Sequence, residues 1–568
     1  MQVASQHVPA TPKGHPKGLN VLFATEMWER FNFYGMRALL TLFLVHALAF
    51  RESEASIIYG GFLGLCYLTP MLGGYISDRY LGNRNCILLG GATMSIGQLF
   101  MFASAIVYAN NVAMATTLMW IALGILIIGN GFFKPNISSM VGQLYPKSDN
   151  RLDSAFTIFY MGINLGAFLG ITICPIVGDV KIGDVRVVTA FKWGFLAAGT
   201  AMALGTILFF FLKDKYVVSP EGKPVGARPR FKNAGDAIGT SEAAQRGEAE
   251  KAHFTSTALM GSLIALVALV AAFKFVVDLN WIYSFIYASG ITLAGLIMTD
   301  KSLTKIERDR IIVMYFVAFF VIFFWACFEQ SASSLTFIAD NQTDRRLFGW
   351  DMPPSLVQNA NSLFIIILAL PFSYMWLWLQ RRKMEPISTM KQALGLIILA
   401  IGFLIIAMQV KGMGINDKIG VIWLIVMYLF HTIGELWLSP IGLSLVAKLA
   451  PVRFSSLLMG VWFLANAAGY ALAGTLGALL PPTGDKYKRA ADMGIDLQAV
   501  LDKTTPVSAE VLAKLNADKL PTEYPVFAGF TIHNLFEFFM VFVILPGAAG
   551  IILFLLSGWL KKMMHGVR

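Results

Sequence analysis

Apolar blocks long enough to cross a bilayer recur along almost the entire chain, separated by short polar connections. A hydrocarbon core takes about 20 residues of helix, and the blocks are of that order. Lipid leaves backbone polar groups no partner outside the segment, so only helices and closed barrels span it, and the alternation of a barrel strand is absent. The pattern predicts helices near 20–50, 54–77, 86–108, 114–140, 154–178, 190–213, 256–276, 281–300, 311–338, 355–380, 390–410, 418–448, 454–480 and 528–560. Residues 214–255, rich in Gly, Ala, Pro and charge, read as a flexible linker. Residues 481–527 form a polar loop, with a short helix expected around 507–519. Setting aside the pair within 256–300 leaves twelve spans, six before the linker and six after. The expected fold is an all-α membrane protein of two six-helix bundles plus two inserted helices, 14 transmembrane helices in all. In order, the chain reads as a tail (1–19), a first bundle (20–213), the linker, the inserted pair (256–300), five helices of a second bundle (301–480), the loop, and a last helix with its tail (528–568).

Composition agrees. Of 568 residues 56% are hydrophobic and only 14% charged, with a mean hydropathy of +0.64, far from the usual soluble composition. The net charge of +11 could mark a nucleic-acid binder, but its placement argues otherwise. With the N-terminus in the cytoplasm, inside connections hold Arg79 and Arg84, Lys147 and Arg151, Lys213 and Lys215, Lys301 to Arg310, Arg381 to Lys383, and Lys448 and Arg453. The outside connections near 51–53, 109–113 and 411–417 are short and poor in base. That is the positive-inside bias, a topology signal, so lipid and not nucleic acid is the expected surrounding. Both termini are expected in the cytoplasm and the first span is expected to act as its own insertion signal. Cys66, Cys86, Cys174 and Cys327 show no paired spacing, which argues against a disulfide framework and a zinc site. No phosphate-cradling loop, HExxH or nucleophile beside a base is present. An enzyme is the weakest reading, and no cofactor or metal is expected.

An ionisable side chain near the bilayer centre costs at least about 2.5–3.5 kcal/mol, so each one kept there asks for a function. The first span carries Glu26, Glu29, Arg30 and Arg37. At about 100° per residue, positions 26, 30, 33 and 37 share one narrow stripe, with 29 and 34 on its flanks. The stripe faces either a water-filled cavity or a structural ion-pair network. Cavity lining is favoured, because inert packing would use small residues at no desolvation cost. Lys134 lies in Gly129-Asn130-Gly131-Phe132-Phe133-Lys134-Pro135-Asn136. A buried lysine needs a carboxylate to keep its proton, so Glu29 or Glu26 is the expected partner; the alternative is a lysine snorkelling to the interface.

Near 418–448, His431, Glu435 and Ser439 stand at i, i+4 and i+8 on one stripe. A desolvated carboxyl at Glu435 can bind a proton near neutral pH, or a cationic amine when ionised, but not both fully; that exclusion couples the two. His431 reads as a packing or supporting residue rather than the proton carrier. Near 311–338 stand Trp325, Glu329 and Gln330, with Glu329 either a second cavity carboxylate or a rim residue. Gln358, Asn359 and Asn361 open the next span with amides that bond donors and acceptors without adding charge. Tyr67, Tyr160, Asn164 and Trp462 interrupt apolar spans, and ordinary helix packing competes for each. Cations on the first bundle and carboxylates on the second would complement a solute with a carboxylate at one end and an ammonium at the other.

These segments carry a resemblance. Glu26-Met27-Trp28-Glu29-Arg30-Phe31-Asn32-Phe33-Tyr34-Gly35 resembles the ExxERFxYYG signature of the proton-dependent oligopeptide transporter (POT/PTR2) family of the major facilitator superfamily. Gly73 to Gly82, Phe156 to Phe168, Gly129 to Asn136 and Gly434 to Pro440 are similar to further family segments, in order along the chain. The pair 256–300 resembles the inserted helices of bacterial members. The resemblance implies proton-coupled symport of di- and tripeptides. It also implies roles: Arg37, Lys134, Tyr34 and Asn164 toward the peptide carboxylate, and Glu435 and Asn361, with Ser439 nearby, toward the amino terminus. Glu26, Glu29 and Arg30 look like the proton-coupling cluster, exchanging partners with Lys134, and Trp325 and Trp462 look like cavity aromatics. Two positions depart from the pattern. Phe33 replaces the first Tyr of YYG, removing a hydroxyl, and Gly60 stands where animal members carry a histidine, which leaves proton binding to carboxylates.

Two other functions compete: a related carrier of another small solute, such as nitrate or an amino-acid derivative, and a membrane receptor without transport. Under the second, Glu29, Lys134 and Glu435 would have no explanation. The expected setting is the inner membrane of a bacterium, with the chain working as a monomer.

Overall fold

The computed structural model describes residues 14–145, 151–182, 185–219, 222–228, 254–504 and 506–567. The first bundle is α1 (Lys17–His46), α2 (Glu52–Ile76), α3 (Asn83–Val107), α4 (Val112–Gln143), α5 (Leu152–Gly178) and α6 (Phe191–Tyr216). An inserted hairpin follows, α7 (Ser256–Phe275) and α8 (Trp281–Met298). The second bundle begins with α9 (Lys305–Phe328), which a 3-10 turn (Glu329–Ala332) separates from the short α10 (Ser334–Asn341). It continues with α11 (Asn359–Arg381), α12 (Ser388–Val410), α13 (Val421–Leu449) and α14 (Ser455–Gly477), and closes with α18 (Leu535–Met563). Between α14 and α18 lie α15 (Gly484–Asp492), α16 (Leu497–Leu501) and α17 (Ala509–Ala517).

Local chemistry sets where the helices begin. Asn111, Asn280 and Asn534 accept the first free backbone N–H groups of α4, α8 and α18, and Thr304 with Glu307 forms a capping box on α9. Prolines sit inside α2, α4, α5, α11 and α18, where neighbouring helices re-satisfy the freed carbonyls. Gly82, at φ +76°, ends the π-helical turn after α2, a backbone that a side chain would strain.

Among the described residues, thirteen helical segments are long and apolar enough to cross a membrane. α1 is 30 residues long and makes the fourteenth; its charged and polar residues, Glu26, Glu29, Arg30, Asn32 and Arg37 among them, lower its apolarity. Each bundle has its own core. One gathers Leu39, Phe43, Phe133, Phe191 and Phe195, the other Phe324, Leu399, Phe403, Phe538 and Phe542. Strands among the described residues are four two-residue pairs, among them the antiparallel hairpin Lys181–Ile182 with Val185–Arg186.

The two bundles meet along α2 against α14 and α5 against α11, with α8 laid over the α2–α14 seam. That seam is close enough that a Cβ on Gly60 would lie 2.7 Å from the Cα of Gly474, so the glycine run near residue 60 serves close packing. Hydrogen bonds between the bundles gather at the end where α1 stops and α2 starts, opposite the start of α1. Thr41 donates to the Ala332 carbonyl at 2.9 Å, and Ser333 to Ser56 at 2.9 Å. Asp340 receives Lys181 at 2.6 Å, Arg186 at 2.7 Å and His46 at 3.0 Å.

Two segments are more ordered than their composition suggests. The linker's first residues dock on the α2–α3 turn: Arg84 donates to the Val225 carbonyl at 2.6 Å and to Asp214 at 2.6 Å, and reaches the Val217 carbonyl, with Val217 and Val225 buried. Residues 229–253 lie outside the described part. The loop 481–527 is not one helix in a polar strand but three helices around a small core of their own.

Candidate functional site

A cavity of about 290 Å3 lies between the bundles. α1 brings Arg30, Tyr34 and Arg37 to it, because the 3.6-residue period keeps them on one side. Tyr67 of α2, Lys134 of α4, and Tyr160 and Asn164 of α5 complete the first bundle's wall. From the second bundle come Trp325 and Glu329, Asn361 of α11, Glu435 of α13 and Trp462 of α14. Glu26 and Glu29 lie just behind this wall, both fully buried.

Glu26 holds the Arg30 Nε at 2.7 Å and Glu29 lies 3.2 Å from the same nitrogen. Two carboxyl groups thus share one guanidinium. Lys134 is not joined to either in a salt bridge. Its Nζ sits 3.5 Å above the Tyr67 ring, so an aromatic face takes the place of the expected carboxylate. Tyr67 in turn packs edge-on against Tyr470 of α14, 4.6 Å between centroids, which carries the contact across the bundles.

Arg37 stacks over Tyr34, 4.9 Å from the ring centroid, and donates from Nη1 to Glu329 Oε2 at 2.8 Å. Tyr59 donates to the same oxygen at 3.1 Å. Glu329 is therefore a buried carboxylate of the cavity and not a rim residue. On the opposite wall the Asn361 amide donates to Glu435 Oε2 at 3.1 Å and to the Thr432 hydroxyl at 2.9 Å, which turns the carboxylate toward the cavity. His431 also lines the cavity, with its ring 4.4 Å from that of Phe403 and neither nitrogen hydrogen-bonded. Asn164 donates to the Tyr160 carbonyl at 2.9 Å. Trp325 lies edge-on to Phe328, and the Trp462 ring fills the space above Gly442. Phe33 stacks on Phe62. The side chain of Ser439 lies outside the described part.

Sequence reasoning missed Tyr59, Thr432 and Tyr470. Each is a hydroxyl in an apolar helix without a charge or a motif to single it out. Their signal is only that a buried hydroxyl needs a partner.

The arrangement places fixed positive charge on one wall and carboxylates on the other, in a space of small-molecule size, with no nucleophile–base pair among the lining residues. A family model, described as the POT family, matches residues 84–484. The chain is 32% identical over 475 residues to a relative from Yersinia enterocolitica called peptide transporter YePEPT, covering 82% of this chain and 88% of the relative. A solved structure of a mutant peptide transporter POT in complex with alafosfalin aligns with a TM-score of 0.71 at 28% identity, covering 98% of this chain and 97% of that one. A POT family transporter in complex with 5-aminolevulinic acid aligns at 0.70 and 27%, covering 97% and 98%. With its major facilitator fold and its match over most of its length, this chain belongs to the POT family of membrane transporters.

Proposed function

We propose that the chain is a proton-coupled symporter of di- and tripeptides that works by alternating access, each bundle rocking against the other about the cavity. The observation that carries this reading is the placing of Arg37 and Lys134 on one wall and Glu435 on the other. A short peptide is a zwitterion, and its two ends complement those walls. The names of the similar transporters point the same way.

In this reading Arg37, Lys134, Tyr34, Tyr67 and Asn164 receive the peptide carboxylate, and Glu435 with Asn361 and Ser439 receives the amino terminus. Tyr160, Trp325 and Trp462 shape the space for side chains. Glu435 and the Glu26–Glu29–Arg30 cluster exchange the proton. Glu329 returns Arg37 to a neutral pair when the cavity is empty, so a bound carboxylate competes with Glu329 and loosens a tie between the bundles. That competition couples binding to movement. The chain works as a monomer in a bacterial inner membrane with both termini in the cytoplasm, and the end sealed in this structure then faces outward.

Dialanine uptake into proteoliposomes tests the reading. Uptake driven by an inward proton gradient and abolished by a protonophore is expected; uptake indifferent to the protonophore overturns the coupling. The transporter that holds 5-aminolevulinic acid favours a second reading, a carrier of amino-acid derivatives. It predicts that this compound competes with uptake more strongly than any dipeptide in a small panel.

A further inference from the structure

Residues 481–527 fold into a cap whose core is Ala490, Leu497, Val500, Leu501, Leu515 and Leu520, all buried. The cap belongs to the second bundle, leaving after α14 and returning at α18. One of its cations, largely shielded, reaches the other bundle: Lys486 Nζ lies 2.8 Å from Oε1 of Glu52, the first residue of α2, with the two side chains 13% and 9% exposed. Burial opposes the charge on Lys486, but Glu52 and Asp485 outweigh it and hold the amine above the usual lysine range. Asn341 of α10 donates to the same Glu52 oxygen at 3.2 Å, and Arg51 donates to Asn516 of α17 at 2.9 Å. Two donors from the second half thus converge on one carboxylate of the first.

We propose that the cap is a latch: by supplying Lys486 to Glu52 it holds the start of α2 against the second bundle, and the pair parts each time this end of the cavity opens. The proposal rests on the alternating-access reading.

The energetics give it a signature. A buried ion pair as a whole adds little over an uncharged replacement, whereas removing one partner leaves the other charged and buried. Opening hydrates Glu52, so only the sealed state bears that penalty. Removing Lys486 alone therefore tips the balance toward opening much further than removing both charges.

Spin labels at Asn110→Cys, between α3 and α4, and Phe348→Cys, between α10 and α11, both exposed, report the separation of the bundles in the full chain in nanodiscs. Lys486→Ala is expected to raise the ratio of open to sealed protein about tenfold or more. Lys486→Ala with Glu52→Gln is expected to bring it back to within about threefold of the unsubstituted chain, and so is the swap Lys486→Glu with Glu52→Lys. An unchanged distance distribution in Lys486→Ala overturns the latch, and so does a double variant as open as the single one. Dialanine uptake by the same unsubstituted protein separates the two claims. Uptake without a Lys486→Ala shift sinks the latch alone, and no uptake sinks the transport reading beneath it.

Discussion

Nη1 of Arg37 lies 2.8 Å from Oε2 of Glu329, a contact that joins α1 to the turn after α9 across the cavity. Both side chains are more than nine-tenths buried, so neither charge has water to fall back on. Arg37→Ala removes a charge-assisted partner from any carboxylate ligand and should weaken dialanine binding by about 10–100-fold. Glu329→Gln removes only the competitor, so binding should hold or tighten while uptake falls. Calorimetric titration with dialanine beside an uptake assay separates the two effects. If Glu329→Gln weakens binding as much as Arg37→Ala does, the competition between Glu329 and ligand is wrong.

Glu435 is fixed by the Asn361 amide, which donates to it at 3.1 Å. Glutamine in its place keeps the shape and can still accept that bond, but can neither take up a proton nor counter an ammonium. Glu435→Gln is expected to lose gradient-driven uptake while keeping some exchange of labelled for unlabelled dialanine. Full driven uptake by the variant would place the coupling proton elsewhere, with the Glu26–Glu29 pair as the next site to substitute.

Lys134 rests on the face of Tyr67, and a cation–π contact of this kind, partly open to the cavity, contributes about 1–2 kcal/mol. The ring supplies the cation–π part of the attraction, while the hydroxyl bonds to Tyr470 and reaches Lys134. Tyr67→Phe should therefore lose a few-fold in uptake, and Tyr67→Leu about tenfold or more. Uptake reduced equally in both variants would show that the hydroxyl, not the ring, is what Lys134 needs.

These contacts mark how far the sequence can be read. The stripe of Glu26, Arg30 and Arg37 was legible because helical periodicity puts residues spaced by whole turns on one face and lipid makes charge conspicuous. Its partners were not, since Arg37 and Glu329 are 292 positions apart and no local pattern links them. Lys134 illustrates the same limit from the other side. Electrostatics demanded a stabilising neighbour, and a carboxylate was the obvious candidate, but a tyrosine face meets part of that demand and leaves no trace in charge patterning. The cap was hidden by composition. Its core residues are scattered among polar ones, with Ala490 in α15, Leu497 and Leu501 in α16, Leu515 in α17 and Leu520 just beyond it, in helices too short for periodicity to emerge.

The seam between α2 and α14 yields the last prediction. A Cβ on Gly60 would meet the Cα of Gly474, the Tyr283 hydroxyl and the Tyr470 carbonyl oxygen, each at 2.7 Å. Two of the three are backbone atoms, which cannot swing aside, and Tyr283 is itself held by donating to the Ile57 carbonyl at 2.9 Å. The added methyl group therefore forces α2 and α14 apart at a point of close approach between the bundles. Overpacking of this kind costs about 1–3 kcal/mol, and the cost falls only on the state in which the seam is shut. Gly60→Ala should fold and bind dialanine, yet widen the distance between labels at Asn110→Cys and Phe348→Cys and slow uptake at least about fivefold. Tyr283→Phe, which removes one of the three obstructing atoms, should restore little when combined with Gly60→Ala, because the two backbone contacts remain. If Gly60→Ala leaves both the distance and the uptake unchanged, the seam tolerates more separation than its geometry implies, and the seal at this end rests on the hydrogen bonds and ion pairs between the bundles.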